Sequence, residues 1–168
     1  LGRYFKQLLP NYLVFDECRY FSPGTEPLVV ELKGRRIGVI ICEDAWQSGP
    51  AGLVREQGAD LLLIPNASPY RDDKHAARLR LFADRHAETA LPMVYCNLVG
   101  GQDELVFDGR SLLMDAEGRV AEPGPLCEEA LLLAEFQPDG ALDWLGSTCG
   151  SGFSRDSGED FAAEAAPT

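Results

Sequence analysis

Short apolar runs bounded by turn residues alternate along this chain with one longer stretch whose apolar residues recur three and four positions apart. Leu28-Val29-Val30-Glu31-Leu32 predicts a first strand, residues 33–36 (Lys-Gly-Arg-Arg) a turn, and residues 37–41 a second, nearly all-apolar strand. A continuous Val/Ile run of that kind belongs to a strand buried on both faces, in the middle of a layered α/β sheet. Residues 47–57 predict a short helix stopped by Gly58, and residues 60–64 repeat the buried-strand pattern up to Pro65-Asn66. Residues 72–90 predict the longest helix, with Leu79, Phe82, Ala83, His86 and Ala90 on one face and acids at its start. A further strand follows at 92–97, and shorter ones at 105–115 and 130–136. Strands alternating with helices give an α/β fold, and the hairpins near each end make the sheet mixed rather than purely parallel.

Past Phe136 the pattern changes. Residues 137–168 are rich in Gly, Ser, Asp and Ala and carry six acids against the single Arg155. This stretch is expected to be an acidic linker or tail, leaving residues 1–136 as the folded part. Ser151-Gly152-Phe153-Ser154 lacks the G-K-[ST] ending and the preceding strand of a phosphate loop.

Composition narrows the classes. The 168 residues are 45% apolar and 25% charged, ordinary for one globular domain. Acids outnumber bases by 27 to 15, a formal charge of −12, which argues against nucleic acid or an anionic membrane surface as a partner. The longest apolar run is far shorter than the about 20 residues that cross a bilayer, and no basic-then-apolar signal segment opens the chain. A first residue that is Leu1 and not Met implies a piece of a longer product. Five cysteines without a C-x-x-C pair, and His75 and His86 with no cysteine beside them, leave no metal set and no disulfide framework. Free thiols suit a reducing, cytoplasmic compartment.

The residue that stands out chemically is Cys42. It ends a buried strand and is followed at once by Glu43-Asp44-Ala45-Trp46, so the chain leaves the sheet there. Functional groups of layered α/β proteins collect at such carboxyl ends, although a free cysteine can equally be a small buried hydrophobe. A nucleophilic thiol needs a base or a positive neighbour. His86 lies on an apolar helix face and His75 on the first turn of that helix, so a Cys–His dyad is disfavoured. Of three lysines, Lys33 sits in a tight turn, and Lys6 lies among aromatic and apolar residues. Composition favours a Lys6 that snorkels to solvent; a cation held inside is the other reading.

Four segments in order carry a family resemblance. Lys6 to Phe21 (K-Q-L-L-P-N-Y-L-V-F-D-E-C-R-Y-F) resembles the lysine segment of the nitrilase, or carbon-nitrogen hydrolase, superfamily. Gly38 to Trp46 (G-V-I-I-C-E-D-A-W) resembles its nucleophile segment, and Asn66 to Tyr70 (N-A-S-P-Y) followed by Lys74 the segment after the next strand. Asn97 to Gly109 (N-L-V-G-G-Q-D-E-L-V-F-D-G) is similar to a run marked in the glutaminase domains of glutamine-dependent NAD synthetases. The resemblance covers residues 3 to about 136.

It implies a nitrilase-type α-β-β-α sandwich with mixed sheets, present here as a partial glutaminase domain. It also implies a Glu–Lys–Cys triad of which Cys42 is the nucleophile and Lys6 the cation, with Glu17 a further acid near the site. The general-base glutamate lies upstream of the lysine segment in the family, outside this sequence, so the chain alone is expected to turn over slowly or not at all. Tyr12, Trp46, Ser68 and Lys74 fall where the family recognises glutamine. The pyrophosphatase loop S-G-G-x-D-S of the synthetase half is missing too, so ATP and Mg belong to a separate synthetase domain that would receive the ammonia. Homo-oligomers are a further implication. A stand-alone amidase acting on another small amide and a non-catalytic assembly subunit stay open as alternatives.

Overall fold

The computed structural model describes residues 2–121, 124–137 and 139–149. Strands β1 (Leu28–Leu32), β2 (Arg35–Val39), β3 (Leu61–Asn66), β4 (Met93–Asn97) and β7 (Leu112–Met114) form one sheet in the order β1-β2-β3-β4-β7. The outer pairs are antiparallel and the two central pairs, β2/β3 and β3/β4, are parallel. The sheet is therefore mixed, as expected. Strands β5 (Val99–Gln102) and β6 (Leu105–Asp108) make a separate hairpin, as do β8 (Ala130–Phe136) and β9 (Leu142–Cys149).

Alternation along the strands selects the core. Ile40, Leu62, Ile64, Met93, Tyr95, Leu112 and Met114 join Val54, Leu81 and Phe82 of the helices in one buried cluster. Helix α2 (Pro50–Glu56) lies so close to β2 that a methyl group on Gly38 would run into Val54. The opposite face is less covered: Ile37, Val39 and Leu63 are half-buried. The continuous Val/Ile run thus does not mean equal burial on both faces among the described residues.

Several elements differ from the sequence expectation. The helix expected at 47–57 is α2, which starts only at Pro50 because Gly49 takes φ +117° and Pro50 opens it, and a separate short helix α1 (Glu43–Trp46) that was not expected precedes it. The strand expected at 105–115 is broken between β6 and β7, where Gly109 (φ +65°) and Arg110 (φ +52°) turn the chain. Helix α3 (Lys74–Thr89) is where expected, but it buries Arg78, Leu81, Phe82, Arg85 and Thr89, not the face through Leu79 and Ala83. Two arginines go inside because acids meet them, Asp108 for Arg78 and Glu88 for Arg85. The expected tail also begins with order, since Leu142–Cys149 pairs along the length of β8. The backbone partners of β8 decide this, and composition cannot register them. The remainder, 150–168, including Ser151-Gly152-Phe153-Ser154, lies outside the described residues. No helix among the described residues is long and apolar enough to cross a membrane.

Candidate active site

The parallel strands β2, β3 and β4 end side by side, with Asn66 paired to Asn97 in register. The ladder continues past β2, as the Ile40 N–H donates to Leu63 O at 3.1 Å and the Cys42 N–H to Pro65 O at 3.1 Å. Cys42 then adopts φ +47°, ψ −102° and heads α1. That backbone conformation is sparsely populated for any residue with a side chain, and the surrounding hydrogen bonds are what hold it. The sharp turn takes the thiol out of the sheet at the carboxyl end of three strands.

Lys6 arrives from an irregular segment that precedes β1. Its carbonyl accepts the Gly24 N–H at 2.8 Å, and Gly24 lies so close to Phe5 that no side chain would fit. The Lys6 Nζ donates to both oxygens of Glu17, each at 2.7 Å, with the lysine side chain only 13% exposed. Lys6 is therefore a held cation, which corrects the snorkelling expectation: Glu17 offers a partner that local composition does not reveal. Glu17 itself stands on a single 3₁₀ turn, Glu17–Arg19.

Lys6, Glu17 and Cys42 line one cavity of about 530 Å³ together with Tyr4, Ala67 and Phe107. Burial pushes the Cys42 thiol above its ordinary range, while the Lys6 cation and the Ala67 backbone N–H pull it down and Glu43 and Glu17 add to the rise. A buried thiol, a cation beside it and a backbone donor are three of the parts that covalent attack on an amide carbonyl requires, a base being the fourth.

The four residues expected to recognise substrate do not line that cavity. Tyr12 is half exposed and its hydroxyl donates to Glu43 Oε2 at 2.8 Å. Burial and the Glu43 carboxylate push that phenol up to about 12. Lys74 Nζ sits 3.9 Å from the centre of the Trp46 ring, a cation–π contact. Burial, then Arg71 and Arg78, lower the Lys74 pKa, and the site carboxylate Glu43 and the Cys42 thiol oppose this. Ser68 is buried, its N–H donating to Asn97 Oδ1 at 2.9 Å. Tyr12 thus meets Glu43 and Lys74 meets Trp46, both partners on helix α1 after Cys42, while Ser68 belongs to the buried Asn97–Arg78 network.

Sequence reasoning gave the supports of the site no separate role. Asp44, fully buried, accepts the Tyr4 hydroxyl at 2.8 Å, the N–H groups of Gln7 and Leu8 at 3.0 and 2.7 Å, and its own turn's Ile41 N–H at 3.1 Å. Arg78, also fully buried, forks onto Asp108 at 3.0 and 2.8 Å and donates to Ser68 O at 3.1 Å. Asn97 joins them, donating to Gly109 O at 2.9 Å. Asp44, Asn97 and Asp108 all lie inside the segments that carry the family resemblance, whereas Arg78 does not. Neither histidine lines the cavity: His86 Nδ1 lies 3.5 Å from Leu91 O, and His75 is half-buried, not solvated as its first-turn position implied.

Comparison with known proteins places the chain in a family. The carbon-nitrogen hydrolase family model matches residues 1–144. The chain is 50% identical over 119 residues to the glutamine-dependent NAD(+) synthetase of Xanthomonas campestris pv. campestris, covering 70% of this chain and 22% of that protein. The glutamine-dependent NAD+ synthetase of Acinetobacter baumannii, solved with ADP, superposes with a TM-score of 0.81 at 39% identity, over 88% of this chain and 28% of that one. An amidase of the nitrilase superfamily from Nesterenkonia sp. AN1, solved with the acetamide moiety of fluoroacetamide on its active-site cysteine, superposes with a TM-score of 0.63 at 28% identity, over 75% of this chain and 48% of that one. The chain spans about a quarter of the length of the curated relatives it matches. With the family model covering 144 of 168 residues and a mixed α/β architecture that superposes on nitrilase-fold structures, the chain belongs to the carbon-nitrogen hydrolase family.

Proposed function

We propose that this chain hydrolyses the side-chain amide of glutamine and supplies ammonia for ATP-dependent NAD synthesis from nicotinic acid adenine dinucleotide in a larger enzyme. The observation that carries the reading is the placement of Cys42, Lys6 and Glu17 in one cavity, with the lysine held as a cation by 2.7 Å contacts. The names of the relatives support glutamine as the substrate and NAD synthesis as the purpose.

Cys42 Sγ attacks the carboxamide carbon, and the electron pair of the C=O bond moves to oxygen. The Lys6 cation faces the developing negative charge, a role that needs charge more than proton transfer. The C–N bond then breaks, the nitrogen takes up a proton and leaves as ammonia, and a γ-glutamyl thioester remains on Cys42. Water cleaves the thioester and releases glutamate. The base for both half-reactions is assigned to a glutamate upstream of Lys6, so residues 1–168 alone turn over slowly or not at all. Tyr12, Trp46, Ser68 and Lys74 are assigned to glutamine recognition, with Lys74 as the partner of the α-carboxylate. ATP and Mg act in the synthetase domain, and the compartment is the cytoplasm. The assembled enzyme is a homo-oligomer.

The test is intact-mass labelling of the full-length protein with a glutamine-mimicking electrophile, beside its Cys42→Ala variant. One adduct, absent from the variant and blocked by glutamine, is expected. An adduct that glutamine does not block moves the assignment to an amidase on another small amide. No adduct on Cys42 overturns the catalytic reading in favour of an assembly subunit.

A further inference from the structure

The thiol and the cation come from segments far apart in the chain, with strands β1 and β2 between them. Lys6 lies on an irregular stretch and Cys42 on a strained turn, so something must fix one against the other. Asp44 has the contacts to do so. It stands two residues past Cys42 on the first turn of α1 and has no exposed surface. Its Oδ2 accepts the Tyr4 hydroxyl at 2.8 Å and the Ile41 N–H at 3.1 Å, and its Oδ1 accepts the N–H groups of Gln7 at 3.0 Å and Leu8 at 2.7 Å. Three of these donors bracket Lys6, and the fourth is the residue before Cys42.

We propose that Asp44 is a positioning residue, a single buried carboxylate that locks the Lys6 segment to the Cys42 turn and so sets the separation of cation and thiol. The inference rests on the Lys6–Cys42 pairing proposed above. A carboxylate has about four acceptor sites, and all of Asp44's are occupied, which makes its burial tolerable. It does not line the cavity and holds no free position for substrate or a proton. Its effect must therefore pass through geometry. The interaction of two charges in a poorly solvated cavity falls with their separation and is weakly screened, so a small displacement of Lys6 is felt at the sulfur.

Asp44→Asn separates this role from a merely structural one. The amide preserves the shape but replaces one oxygen with a donor, so one of the two pairs of contacts is lost. The readout is the rate of Cys42 carbamidomethylation by iodoacetamide against pH, followed by mass on the Cys42 peptide of the full-length protein. Asp44→Asn is expected to move the profile to higher pH and to slow labelling at pH 7 roughly tenfold, the effect of losing a nearby opposite charge. In a Lys6→Met background the same substitution should change the rate by less than about twofold, since no cation remains to be placed. Equal slowing with and without Lys6, or no slowing at all, overturns the proposal. A Lys6→Met profile identical to wild type instead sinks the Lys6–Cys42 pairing itself. Should Asp44→Asn lose its far-ultraviolet circular dichroism, Tyr4→Phe removes one of the four bonds and decides on the same terms. An upward shift that requires Lys6 supports the proposal, and one that does not require it overturns it.

Discussion

Replacing Asp108 by leucine would leave the Arg78 guanidinium charged and stranded inside the protein. Arg78 has no exposed surface, and the Asp108 side chain is 2% exposed. Their fork of two bonds, at 3.0 and 2.8 Å, is the counter-charge that makes this burial possible. After the substitution Arg78 keeps the Ser68 carbonyl at 3.1 Å, a neutral acceptor that does not balance the charge. Removing one partner of a buried pair costs about 3–5 kcal/mol. At about 2–4 °C per kcal/mol for a domain of this size, the transition should fall by roughly 6–20 °C. The loss reaches the site as well, because Ser68 follows Ala67, whose N–H faces the Cys42 sulfur. The assay is thermal unfolding by circular dichroism of the full-length protein carrying Asp108→Leu alone and Asp108→Leu with Arg78→Met. The double variant removes both charges and should recover most of the loss, since an apolar pair of similar volume replaces an ion pair at little cost. A single variant that melts within a few degrees of wild type would refute the reasoning, as would a double variant that melts below the single one.

Two other outcomes follow from the same geometry. Cys42→Ala in the complete enzyme should abolish NAD synthesis from glutamine and leave synthesis from added ammonia intact, measured as NAD formed with each nitrogen donor; loss of both would argue against a division of labour between two domains. Gly38→Ala should destabilise the sheet by about 1–3 kcal/mol, because the new methyl group meets Val54 where α2 rests on β2; urea unfolding with an unchanged midpoint would show that the contact is loose.

What the sequence determined by itself was local. Apolar runs ended by turn residues placed β1, β3 and β4, and the position of Cys42 followed from the end of one such run, because burial periodicity and chain breakers are written in neighbouring residues. The resemblance added Lys6 and Glu17 as candidates, and they share a cavity with Cys42. Only the tertiary structure decided which face of α3 goes inside, since Arg78 is polar by every local measure and is buried on account of an aspartate 30 positions away. The same holds for Lys6, whose contacts with Glu17 turn a side chain expected in solvent into a fixed cation. It holds for Leu142–Cys149, where strand partners override a tail-like composition, and for Asp44, whose four donors lie on segments that meet only after folding. Charge and hydrogen-bond pairing across long stretches of chain has no periodicity to betray it, so the central strands could be read in advance and the buried face of α3 and the supports of the site could not.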